Sequence, residues 1–103
     1  MTADPVTFVA VIDVPPGGVE TFRRYEASVV ALMARYGGVM EQRLVSADGT
    51  FEMHVLSFPS RSDFDRYLSD PLRAGARDVL ESSHARVRVE EVEALRGDPR
   101  FGS

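Results

Sequence analysis

The stretch "VMEQRLVSADGTFEMHVLSFPS", residues 39–60, decides the fold. Both of its ends carry apolar residues at strand-like spacing, and Asp48-Gly49 divides them. That dipeptide tolerates the positive φ angles a tight hairpin needs, so the stretch reads as two antiparallel strands joined by a turn. The first strand, 39–46, is the less apolar and belongs nearer a sheet edge. The second, 51–58, stops at Pro59, which cannot donate to a β-ladder.

Working outward, "TFVAVIDV" (7–14) puts Phe8, Ala10 and Ile12 on one face and Val9 and Val11 on the other. Both faces are apolar, as in a strand covered on two sides. After the "PPGG" break, Val19, Phe22, Tyr25 or Glu26, Val29, Leu32 or Met33 and Tyr36 recur at three- and four-residue spacing. That stripe predicts a helix from Val19 to Tyr36, ended by Gly37-Gly38.

Beyond the hairpin, Ser60 followed by Asp63 is a capping-box pattern, and Phe64, Tyr67 and Leu68 form the stripe of the helix it opens. Asp70-Pro71 stops that helix and starts another, with Asp as cap and Pro at the first position. Leu72, Ala76, Val79 and Leu80 give the new helix its apolar face, and Ser82-Ser83-His84 its end, with His84 read as a cap. "ARVRVEEVEAL" (85–95) is the last strand. Val87 and Val89 differ in parity from Val92 and Ala94, which predicts a bulge near Glu90-Glu91.

The order is β-α-β-β-α-β, an α+β, ferredoxin-like arrangement with a four-stranded antiparallel sheet and helices on one face. Residues 1–95 are expected to form one domain and 96–103 a flexible tail, unless Phe101 docks. The helices shelter one face of a sheet whose first and third strands are apolar on both. The other face would expose more apolar surface than a monomer usually shows, and a second copy packed sheet to sheet is the simplest cover. A homodimer is therefore expected.

At 44% hydrophobic and 27% charged, the 103 residues have the make-up of an ordinary globular domain. No apolar run is long enough to span a bilayer and no secretory segment is recognised, which reads as a cytoplasmic protein without a membrane partner. Cysteine and lysine are both absent, and all 12 basic residues are arginine. Thiolate catalysis, Schiff-base chemistry and the phosphate-loop lysine therefore lack their key residue. A net charge of −4 argues against a nucleic-acid partner. The two histidines lie thirty residues apart with no metal-ligand spacing, and neither a metal nor another cofactor is implied.

His54 shares a face with Leu56 and Phe58. It is either a core histidine satisfied by its neighbours or a general base whose unperturbed pKa of about 6.5 suits neutral pH. Glu41 and Arg43 on the hairpin partner are within its reach. Tyr67 is either core packing or a ligand-anchoring hydroxyl, and Tyr25, Tyr36 and Phe58 are candidate cavity-lining, ligand-binding residues. Arg73, Arg77 and Glu81 at helical spacing read as a solvated ion-paired face. Arg73 near a helix start opposes the dipole, which favours an external anion.

"ARYGGVMEQRL" (34–44), "HVLSFPSRSDFDRYLSDP" (54–71) and "SSHARVRVEEV" (82–92) resemble the dimeric α+β-barrel superfamily, closest to its domain-of-unknown-function branch. The resemblance covers about residues 7–95. It implies a ferredoxin-like fold whose sheets stack into a barrel across a two-fold axis. Other branches include cofactor-independent antibiotic-biosynthesis monooxygenases, polyketide cyclases, haem-degrading enzymes and stress-responsive proteins without known activity. "FPSRSDFDRYLSDPLRAGARDVL" (58–80) is also similar to the plant polyketide cyclase of this superfamily: Tyr67 matches its tyrosine, while its histidine falls on Arg73. Arginine cannot take up a proton at neutral pH but can stabilise an enolate. The haem-degrading branch's tryptophan has no counterpart, because the chain has no Trp.

The resemblance and the residues together suggest an apolar cavity holding a small hydrophobic or aromatic molecule. The chemistry would be cofactor-independent oxygenation or cyclisation, with His54, Tyr67 and Arg73 as catalytic residues. A non-catalytic ligand-binding or stress-response protein is the alternative.

Overall fold

The computed structural model describes residues 4–93. Its elements are β1 (Val6–Asp13), α1 (Val19–Met33), β2 (Val39–Val45), β3 (Phe51–Phe58), α2 (Arg61–Leu68), α3 (Pro71–Gly75), α4 (Arg77–Ser82) and β4 (Arg86–Val92). A 3-10 turn, Ala34–Tyr36, prolongs α1 to the expected end, where Gly37 takes φ 72°. The strands form one antiparallel sheet in the order β2-β3-β1-β4. The fold is the ferredoxin-like α+β arrangement that the element order implies. The expected tail, Phe101 and Ala94 lie outside the described residues.

The caps are as the sequence implies. The Ser60 hydroxyl accepts from the Asp63 amide at 3.0 Å, and Asp70 accepts from the Leu72 amide at 2.8 Å. The single helix expected after Asp70 is instead two short ones, α3 and α4, broken at Ala76 where ψ flattens to −5°. The break leaves Leu72 61% exposed on a short turn of helix rather than in the core. Leu68 is also exposed, because α2 spends its buried face on Phe64 and Tyr67. His84 takes φ 58° after α4, and its backbone amide donates to the Glu81 carbonyl at 3.0 Å.

Register corrects one expectation and adds a feature. β4 pairs with β1 without a break from Val92 opposite Thr7 to Arg86 opposite Asp13, so there is no bulge near Glu90-Glu91. Val87 and Val89 lie opposite Ile12 and Ala10 on the helix side, whereas Val92 faces the open side: the parity change marks a strand apolar in part on both faces. The bulge is in β2, where the register slips between Met40 and Gln42. The extra residue, Glu41, rephases the strand, and Arg43 comes to lie opposite His54 on the helix side.

The sheet's two faces differ. Under the helices the core divides into two clusters. Phe8, Leu32, Met33, Leu56, Phe58, Phe64 and Tyr67 form one; Ala10, Ile12, Val14, Phe22, Tyr25 and Val29 form the other. On the face away from the helices, Val9, Val11, Met53 and Val55 form a half-buried centre, with exposed Leu44, Phe51, Val39 and Val92 around it.

Candidate functional site

A cavity of about 230 Å³ lies between the sheet and the helices, its wall drawn from both core clusters. It exists because the seam between the clusters is polar. β3 turns four alternate side chains toward the helices, and while Leu56 and Phe58 pack, Glu52 and His54 do not close against an apolar partner. His54 is 3% exposed, and its Nε2 lies 2.8 Å from Glu52 Oε1. Glu52 is gripped in turn by Arg43, whose Nε donates to Oε1 at 2.8 Å and Nη2 to Oε2 at 3.2 Å. On the other side of the ring, Nδ1 stands 3.8 Å from Oε2 of Glu26, which α1 supplies.

Two carboxylates thus flank one imidazole, with opposite electrostatics. Burial pushes the Glu52 carboxyl up, but hydrogen bonds from Arg43 and His54 outweigh it and hold the group below the usual range. Burial also pushes the Glu26 carboxyl up, and the neighbouring His54 and Arg43 charges only partly offset it. Glu52 is a fixed anion that orients the ring; Glu26 holds a proton more readily than an ordinary glutamate.

The cavity's opposite wall carries Tyr25, Tyr67, Arg73 and Arg77. Burial raises the phenols of Tyr25 and Tyr67, and Arg73 lowers each in part. Both remain protonated donors near neutral pH. The Tyr67 hydroxyl donates to the Val29 carbonyl at 3.3 Å, and the Arg73 guanidinium sits 5.1 Å over the Tyr67 ring. Arg73 Nε is buried without a hydrogen-bond partner among the described residues. An unmet buried guanidinium donor is costly and calls for an acceptor from a ligand or water.

His54, Tyr67, Arg73 and Tyr25 therefore converge on one cavity. Tyr36 and Phe58 are placed elsewhere. Tyr36 donates its hydroxyl to Asp70, which raises the phenol and lowers the carboxyl. Phe58 is 1% exposed, within an aromatic stack with Phe64 and Tyr67. Among the described residues Arg73 and Arg77 form no ion pair with Glu81; both arginines line the cavity, although Arg77 and Glu81 are exposed as expected. Glu41 bonds the Ser57 hydroxyl at 2.6 Å on the surface rather than His54. Sequence reasoning missed Glu26 and Glu52 as the histidine's partners. The signals were there: Glu26 interrupts the stripe of α1, and Glu52 shares the parity of His54. A larger, shallow groove of about 540 Å³ lies between α1 and α3, but Arg35 is the one charged residue lining it and no carboxylate or imidazole reaches it.

No protein-family model matches the chain, and no curated protein is similar to it in sequence. Solved structures are. SnoaB, a cofactor-independent oxygenase from Streptomyces nogalater, is 24% identical with a TM-score of 0.69, over 94% of this chain and 99% of that one. Rv0793 from Mycobacterium tuberculosis is 21% identical with a TM-score of 0.71, over 91% and 98%. A proposed antibiotic biosynthesis monooxygenase from Caulobacter crescentus is 13% identical with a TM-score of 0.75, over 92% and 93%. At these identities the likeness shows the fold, and none of the three bears out the domain-of-unknown-function branch. The chain shares with them the ferredoxin-like α+β fold of four antiparallel strands with helices on one face.

Proposed function

We propose that the chain is a homodimeric, cofactor-independent monooxygenase acting on a small aromatic or polyketide-like molecule held in this cavity. The observation that carries the reading is the convergence of His54, Tyr67 and Arg73 on one cavity, where Arg73 Nε finds no partner among the described residues. His54 removes a proton from the substrate, Tyr67 donates a hydrogen bond that orients it, and Arg73 stabilises the negative charge that develops. The resulting anion supplies the electrons that reduce dioxygen; one oxygen atom enters the ring and the other leaves as water. The likeness to a cofactor-independent oxygenase supports this choice over cyclisation.

Size narrows the substrate. An apolar cavity of about 150 Å³ admits benzene, so about 230 Å³ suits one or two fused rings. The apolar face of the sheet supports pairing with a second copy, since its centre of Val9, Val11, Met53 and Val55 needs cover. Oxygen uptake with dihydroxynaphthalene tests the reading. Wild-type protein should consume oxygen without added cofactor. His54→Ala should lose turnover at least a hundredfold while sedimenting as the same dimer. Uptake unchanged in that variant removes His54 from the mechanism, and a monomer at high concentration removes the dimer.

The volume also suits a non-catalytic ligand-binding protein. That reading predicts saturable binding of the same compound with no oxygen uptake by the wild type.

A further inference from the structure

The carboxylates beside His54 are not equivalent. Glu52 is saturated: Arg43 grips both its oxygens and His54 Nε2 takes Oε1. With Nε2–H donating to Glu52, the lone pair of Nδ1 points to the other side, where Glu26 Oε2 stands 3.8 Å away. That gap is too long for a hydrogen bond. A substrate hydroxyl oxygen about 2.8 Å from each atom fills it, its single proton donated to one of the two and within reach of the other. Both side chains line the cavity, and Glu26 is 7% exposed. Around Glu26 stand His54, Glu52 and Arg43 from the sheet, Arg73 from α3, and Tyr25 beside it on α1.

We propose that Glu26 and His54 together form an acceptor pair for the single proton of an acidic substrate hydroxyl, with Glu52 and Arg43 as the positioning pair behind the ring. The inference rests on the functional reading above and narrows its substrate to a phenol or enol rather than a carbon acid. In the step, the substrate O–H bond breaks, its electron pair stays on oxygen as a phenolate, and the proton passes to the Glu26–His54 pair. No atom is oxidised. The pair begins with one negative charge and ends neutral while the substrate takes that charge up. A charge is thus moved within the cavity rather than separated, which suits two groups as buried as Glu26 and His54. Burial, which makes the Glu26 carboxyl reluctant to ionise, favours the same uptake.

4-Nitrophenol, colourless as the phenol and yellow as the phenolate, is the probe. Bound to wild-type protein it should turn yellow at a lower pH than when free. Glu26→Gln should lose that shift. Glu52→Gln should weaken the shift by letting the ring turn. A second measurement needs no ligand: the titration of the Glu26 carboxyl followed by carbon NMR. In His54→Gln its midpoint should move up, because a lowering partner is gone. A Glu26 titration unmoved in that variant, or a full colour shift in Glu26→Gln, overturns the pair. Failure of wild-type protein to bind the phenol defeats the functional reading, and the NMR titration still decides whether the two groups are coupled.

Discussion

One face of β3 holds two neighbourhoods. Its last two inward residues, Leu56 and Phe58, enter a closed aromatic core in which Phe8 stacks on Phe64 at 3.9 Å and Phe58 meets Phe64 and Tyr67 at 5.3 Å. Its first two, Glu52 and His54, are as deeply buried, but they hold one another and leave space in front. Strand, face and depth are the same; only the side chains differ. Apolar residues fill volume because contact is their only gain, whereas the polar pair is satisfied by specific partners and tolerates a void beyond them.

The two halves should break differently. Phe58→Ala should cost the most, about 3–5 kcal/mol, because it opens a cavity in a core with no room to relax. Urea denaturation measures it, and a loss under 1 kcal/mol would mean the closed half is less closed than described. Glu52→Gln should cost less, about 2 kcal/mol, since Arg43 is 38% exposed and water takes up part of the lost pairing. Its signature is pH: the Glu52 carboxyl is lowered in the fold, so its contribution is present above about pH 4.3 and fades as pH falls through the folded value. The variant should therefore flatten the acid limb of the stability profile.

Glu26→Gln should have the smallest effect, and of opposite sign. The Glu26 carboxyl is raised in the fold, so the folded state binds more protons between about pH 4.3 and the folded value, and stability falls as pH rises through that window. Near pH 7 the neutral amide should unfold at slightly higher urea than wild type. A destabilised Glu26→Gln would mean that the carboxylate braces the seam and is not held there at a cost.

Fold and site were legible to different degrees. The element order, the Ser60 and Asp70 caps and the Gly37 stop follow from local chemistry that a few neighbouring residues determine. Leu72 did not, because its exposure depends on where α3 breaks from α4, a matter of packing against α1. The convergence of His54, Tyr67 and Arg73 was visible as three candidates on three elements, but not as one space. Their carboxylate partners were hidden in plain patterns: Glu26 was read as sharing a position of an apolar stripe with Tyr25. Tyr36 and Phe58 were chosen for their aromatic character, which a core and a cavity demand alike.

The single surplus residue in β2 has a consequence for tracing ancestry. Because Glu41 bulges out of the ladder, Met40 and Arg43 share the helix face; unbroken alternation through Glu41 would set Arg43 on the open face and strand Glu52 beneath. Losing Glu41 itself would restore regular pairing and leave Arg43 opposite His54, whereas losing a residue between Arg43 and the turn would swing the clamp outward. Kin of this chain should accordingly be sorted by the number of residues between that arginine and the turn before any column of aligned letters is compared.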